Sequence, residues 1–139
     1  MNWFLDVLKN KYAKFDGRAS RPEYWFFVMF MWLVFLAFDI VINIAGFIFI
    51  PASVRADIDS HPMALFLLVS PLLLYWLAML VPHIAVAVRR FHDQDKSGWF
   101  VLLSFIPFVG GLIVLVFMLL PGTPGDNRFG PPAPTSPGA

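Results

Sequence analysis

Two short stretches concentrate the side chains able to do chemistry. One is Phe15-Asp16-Gly17-Arg18-Ala19-Ser20-Arg21-Pro22-Glu23-Tyr24-Trp25, and the other is Arg89-Arg90-Phe91-His92-Asp93-Gln94-Asp95-Lys96-Ser97-Gly98-Trp99. The second packs two guanidinium groups, an imidazole and two carboxylates into seven residues. Asp93 can pair with an arginine, and His92 titrates near neutrality, so proton transfer and anion binding are both open to it. The competing structural reading is a solvated, charge-balanced turn, ended by Ser97 and Gly98, with Trp99 opening the next helix. In the first stretch Ser20 and Glu23 fit the S-x-x-E capping box, and Pro22 falls in the first turn, where its missing N–H is harmless. Those three residues then read as a helix start, with Arg18 and Arg21 as anchors to lipid phosphate that also set orientation. An anion or partner site built on this turn is the functional alternative.

Asp39 is a third candidate, inside an apolar run, with Asn43 one turn later on the same face. A carboxylate at that depth costs about 2.5–3.5 kcal/mol on insertion scales, so it should face protein or water. It reads either as an ion or proton site or as one end of an interhelical hydrogen bond. His83, beside Pro82, reads as an interfacial side chain, and Tyr75 and Trp76 as helix-packing residues. No catalytic triad, phosphate-binding loop or H-E-x-x-H motif is present. His61, His83 and His92 lie too far apart in sequence to argue for a metal site. No catalytic, cofactor-binding or metal-ligating residue is therefore expected, and no cofactor.

The rest of the chain must position these groups, and its composition says in what solvent. Of 139 residues, 59% are apolar and 14% charged, against about 45–50% and about 25% in average soluble domains. Sixteen Phe and five Trp would overfill a soluble core of this size. An ordinary soluble enzyme is excluded, as is a nucleic-acid binder, because a net charge of +1 supplies no phosphate-neutralising field. The absence of Cys excludes disulfides, thiolate zinc sites and Cys nucleophiles. What remains is a small integral membrane protein.

Three apolar runs, at 24–50, 63–88 and 99–120, are each long enough to cross a hydrocarbon core of about 30 Å. The expected fold is thus an all-α membrane protein with three transmembrane helices in one multi-pass domain, 1–132. Ahead of them, Phe4, Val7, Leu8, Tyr12 and Phe15 recur at helical spacing while Asp6, Lys9, Asn10 and Lys14 fall largely opposite. This predicts a short amphipathic helix lying in the membrane interface. Lys and Arg number five before the first run, one in 51–62, three in 89–98 and one in the tail. The positive-inside rule then places the N-terminus in the cytoplasm. Pro107 and the Gly110-Gly111 pair leave a re-entrant third run as the alternative to a simple span. The stretch 121–128 reads as consecutive turns, and 133–139 as a disordered Pro/Gly-rich tail.

The motifs Phe15-x-Gly17-Arg18-x-Ser20-Arg21-x-Glu23-Tyr24-Trp25, Arg89-Arg90-Phe91-His92-Asp93-x-x-x-Ser97-Gly98-Trp99 and Pro121-Gly122-Thr123-Pro124-Gly125-Asp126-Asn127-Arg128-Phe129-Gly130 occur here in that order. Together they resemble the YhaH/YhaI-type bacterial inner-membrane family, a domain of unknown function designated 805. The resemblance covers about residues 1–132 and implies a multi-pass protein of the bacterial cytoplasmic membrane with no assigned activity. It also implies that Arg18, Arg21, Glu23, Arg89, Arg90, His92, Asp93, Ser97, Asn127 and Arg128 matter beyond topology. If Arg21, Arg90, His92, Asp93, Asn127 and Arg128 form one polar cluster, the tail is cytoplasmic and the third run re-entrant. The functional expectation is a non-enzymatic protein acting through anionic lipid headgroups, a homo-oligomer or a membrane-protein partner, with no nucleic acid. The alternatives are an oligomeric channel or proton-coupled transporter using Asp39, and a lipid-headgroup enzyme using His92 and Asp93.

Overall fold

The computed structural model describes residues 3–133, which form helices joined by turns. Helix α1 covers Trp3–Asn10, α2 Arg21–Phe49, α3 Ala52–Ala56, α4 Pro62–Asp93 and α5 Gly110–Leu119. Two 3-10 segments, Ile58–Ser60 and Gly98–Phe105, complete the set. Packing divides the chain into two units, one of residues 1–29 with 80–139 and one of residues 30–79.

Helices α2 and α4, of 29 and 32 residues, are long and apolar enough to cross a membrane. In the 30–79 unit their facing aromatics interlock. Trp32 and Trp76 meet edge to face at 5.4 Å, and Phe35 lies 5.6 Å from Trp76 and 6.0 Å from Tyr75. Tyr75 donates its hydroxyl to the Met31 carbonyl at 2.5 Å, so Tyr75 and Trp76 are packing residues, as their mid-run placement predicts. Gly46 permits close approach of the helices, since a β-carbon there would come within 2.7 Å of Leu68 Cδ2. The outward faces stay apolar and exposed, including Phe47, Phe49, Leu67 and Leu74, a surface suited to lipid.

The third apolar run is not one helix, which corrects the expectation of a continuous span over 99–120. It divides into the 3-10 segment and α5, with a turn at 106–109 between them. At about 2.0 and 1.5 Å per residue each arm is only roughly 15–16 Å long, half a hydrocarbon core. The break has three local causes. Pro107 has no N–H to give, Phe108 adopts φ 64°, and Gly110 sits where a β-carbon would lie 2.2 Å from the Leu103 carbonyl oxygen. Both arms return to one place, because Phe91 of α4 touches Phe100 at 5.9 Å and Phe117 at 5.8 Å, and those two rings meet at 5.9 Å.

Helix α1 forms where the amphipathic spacing predicts a helix, and its apolar face has a protein partner. It docks on α2 through Phe4 and Phe27, whose rings stack at 5.6 Å, and buries Trp3, Val7 and Asp6. Helical spacing places Asp6 on the polar face. It is buried because Lys11, just beyond the helix end, turns back to it at 2.8 Å. Residues 121–133 are described, with Thr123, Asn127 and Phe129 bonded to or stacked on the end of α4, and the remainder of the expected disordered tail, 134–139, lies outside the described residues.

Candidate functional site

Helix α4 runs unbroken through Pro71 and Pro82 and continues past the apolar run to Asp93. It ends in a Schellman motif: Asp95 takes φ 56°, its N–H reaches the His92 carbonyl, and the Lys96 N–H reaches that of Phe91, both at 3.0 Å. Arg89, Arg90, His92 and Asp93 therefore occupy the last turns of a helix rather than a solvated turn. Arg89, Arg90 and Asp93 are buried, with Arg90 fully so. Charges leave water only where partners replace hydration, and the chain supplies two sets of partners.

The first set joins α1, α2 and α4. Glu23, fully buried, accepts from Arg89 Nη1 at 2.5 Å and lies 3.5 Å from Lys11 Nζ. Lys11 in turn bridges to Asp6, which also accepts from Asn10 Nδ2 at 2.8 Å. Half of the capping box forms, since the Glu23 N–H reaches Ser20 Oγ at 3.3 Å. The Glu23 side chain is committed to Arg89 instead of returning to the backbone of Ser20. Burial works to raise the Asp6 carboxyl, but bonds from Lys11 and Asn10 and the charges of Lys11 and Arg89 outweigh it and hold it below 3.8.

The second set centres on Asp93. Arg18 Nε donates to Asp93 Oδ1 at 2.8 Å, and Arg90 Nη1 donates to Oδ2. Arg18 then gathers the chain beyond α5, donating to the Gly125 and Thr123 carbonyls at 2.7 Å each. Arg90 reaches the Leu120 carbonyl, and Gln94 reaches that of Phe117. The Thr123 N–H donates to the Asp93 carbonyl at 2.8 Å, and Asn127 Nδ2 to the His92 carbonyl at 2.9 Å. Gly122 is required for this approach, because a β-carbon there would lie 2.0 Å from Asp93 Oδ2. His92 Nδ1 faces the Gly17 carbonyl at 3.2 Å, and its ring stacks on Phe129 with centroids 3.8 Å apart.

Of the residues singled out by sequence, Arg18, Glu23, Arg89, Arg90, His92, Asp93 and Asn127 thus meet in buried or half-buried contacts. Arg128 joins only at the rim, pairing with Asp95 at 3.2 Å where both are exposed. Ser97 is a cap, accepting from the Trp99 N–H at 3.4 Å. Arg21 is exposed and has no ion-pair or hydrogen-bond partner among the described residues. Asp39 and Asn43 belong to the 30–79 unit and bond within one helix, Asn43 Nδ2 donating to Asp39 Oδ1 at 3.1 Å.

No sequence pattern marks Lys11, Asp6, Gln94, Thr123 or Gly125 as members of these sets. Most of what they contribute is a backbone carbonyl or a contact across many residues, and neither leaves a spacing pattern. The i to i+4 pairing of Asp6 with Asn10 was the one available signal. A cavity of about 750 Å3 opens beside the cluster, lined by Tyr24, His83, His92, Ser104 and apolar side chains such as Leu80 and Phe105. His83 and His92, both on α4, share its wall.

A family model described as "Protein of unknown function (DUF805)" matches residues 12–131. The chain is 39% identical over 130 residues to inner membrane protein YhaI of Escherichia coli (strain K12), covering 94% of this chain and 93% of that one. It is 38% identical over 131 residues to inner membrane protein YhaH of the same strain, covering 94% and 95%. No solved structure matches.

Proposed function

The chain belongs to the DUF805 family, and from that premise we propose a two-span inner-membrane protein with a re-entrant third segment and a non-enzymatic contact platform on its cytoplasmic face. The observation that carries this reading is the commitment of Asp93 to Arg18 and Arg90 while its carbonyl holds Thr123, which ties the chain beyond α5 to the residues preceding α2. If α2 and α4 both cross, residues 1–20, 94–98 and 121–133 share one side. Nine of the ten Lys and Arg residues then face the cytoplasm, with Arg55 alone across the membrane, a stronger inward bias than three spans would give. The exposed apolar tip of the hairpin, including Phe105 and Phe108, suits immersion in lipid. Non-helical backbone at that depth is tolerated where protein covers it, and the two arms pack on each other.

The bonds at the junction support binding rather than chemistry. Both Asp93 oxygens are occupied by arginine, and His92 is held by the Gly17 carbonyl and covered by Phe129. The intrahelical bond from Asn43 supports a structural role for Asp39 over an ion pathway. Partner contact, with lipid headgroups, a second copy or another membrane protein, then falls to the exposed charges around the buried junction, Arg21 and Arg128 among them. The test exploits the absence of cysteine in the chain. Single Cys residues at Lys9, Asp59 and Asp126 are labelled from either side of the membrane with an impermeant maleimide. Lys9→Cys and Asp126→Cys should react from the cytoplasmic side and Asp59→Cys from the other. Reaction of Asp126→Cys from the side opposite to Lys9→Cys would defeat the proposal.

A further inference from the structure

We propose that the platform holds one anionic glycerophospholipid, its phosphate in the pocket beside Arg21 and Arg90 and an acyl chain along the adjoining α2 groove. The inference deepens the reading above and rests on it, since that reading sets the first turn of α2 at headgroup depth. The pocket, of about 250 Å3, is lined by Arg18, Ser20, Arg21, Arg90, Asp93 and Thr123. Three guanidinium groups face one carboxylate there, which leaves two positive charges uncompensated.

The available donors in it are those of Arg21. Arg18 is saturated by Asp93 and the carbonyls of Thr123 and Gly125, so it is a fixed wall. Arg90 lines the pocket fully buried, with its Nη groups spent on Asp93 and the Leu120 carbonyl, so it contributes positive potential rather than a donor. Arg21 is exposed and has no ion-pair or hydrogen-bond partner among the described residues, and a guanidinium presents a fork matched to phosphate oxygens. The pocket also lies at the start of the 29-residue α2, whose dipole favours negative charge there.

A second groove makes the anion a lipid. Arg21 and Pro22 belong also to an apolar groove of about 260 Å3 that continues over Trp25, Phe26 and Met29, one to two turns further along α2. A phosphate at Arg21 therefore sits at the head of a track suited to hydrocarbon, an amphiphilic pattern that free phosphate does not use. Two uncompensated charges favour a lipid of net negative charge over a zwitterionic one.

Full-length protein in phosphatidylcholine nanodiscs, doped with acyl-brominated phosphatidylglycerol or acyl-brominated phosphatidylcholine, tests this by tryptophan quenching. The brominated anionic lipid should quench at about fivefold lower mole fraction than the zwitterionic one. Trp25→Phe should remove most of the difference and Arg21→Gln should abolish it, while Arg128→Gln, an exposed cation outside the pocket, leaves it intact. Arg21 is exposed, so its variant should fold, and an unchanged melting curve verifies this. Equal quenching by the two lipids overturns the proposal, as does a preference that survives Arg21→Gln. Displacement of the anionic lipid by millimolar inorganic phosphate would reassign the pocket to a free anion and overturn the lipid assignment. These outcomes are separable from the cysteine labelling, since a cytoplasmic tail without lipid preference defeats the pocket assignment alone.

Discussion

Arg18 and Asp93 are 75 residues apart in sequence and share a 2.8 Å side-chain hydrogen bond in a buried setting. Through it the segment before the first long helix, the end of the second and the chain beyond α5 become one junction. A carboxylate shared by two buried guanidinium groups is also where the junction is most exposed to damage.

Replacing Asp93 by Asn keeps its size and removes the charge that lets Arg18 and Arg90 remain buried side by side. Breaking a buried pair by removing one partner costs about 3–5 kcal/mol. Thermal melts in detergent should show that loss, and protease should cut within 121–133 in the variant but not in the wild type. A variant that melts and resists cleavage like the wild type would remove Asp93 from the centre of the junction.

Gly122→Ala tests the same contact sterically. Its β-carbon would collide with the Asp93 carboxylate, whereas Gly111 has nothing within 4 Å. Gly122→Ala should lower the melting temperature and loosen the tail, and Gly111→Ala should leave both unchanged. Equal effects would show that the tail does not approach Asp93 so closely.

At the other ionic set, Glu23→Gln should destabilise more than Lys11→Ala, because it strands the buried Arg89 while Lys11 is partly exposed. A double-mutant cycle with Arg89→Gln should give a coupling of about 0.5–3 kcal/mol. Additive effects would contradict direct pairing.

Acid should release α1. Because the Asp6 carboxyl is held below its ordinary 3.8 in the folded protein, the stability it contributes is fully present above 3.8. That contribution is lost as the pH falls through the lower folded value. Hydrogen exchange in 3–10 should stay slow at pH 5 and rise below 3.8, and Asp6→Asn should erase this acid step. An acid step that persists in Asp6→Asn would assign it to another group.

The legible part of the fold was whatever composition and local spacing encode. Helices α2 and α4 follow from long apolar runs, and the two arginine stretches stand out by density of charge. The break at 106–109 was only half legible. Pro107 and Gly110-Gly111 are visible as breakers, but whether an interrupted run spans or folds back depends on Phe91 receiving both Phe100 and Phe117, a long-range contact. A helical wheel puts Asp6 on the wrong face because it contains nothing of Lys11 beyond the helix end. Glu23 was read as a cap because its Ser20 partner is local, while Arg89, 66 residues away, leaves no local trace. The resemblance to the family was the signal that joined the three polar stretches, since spacing alone gave no reason to unite 89–99 with 121–130.

The central claim is that residues 99–120 re-enter and return the tail to the side of the N-terminus. Fusions of the full-length chain at Ala139 to a fluorescent reporter active only in the cytoplasm, and in parallel to a phosphatase active only in the periplasm, test it most directly. The account predicts bright fluorescence and no phosphatase activity. A dark fluorescent fusion with an active phosphatase would contradict it and restore a third complete span.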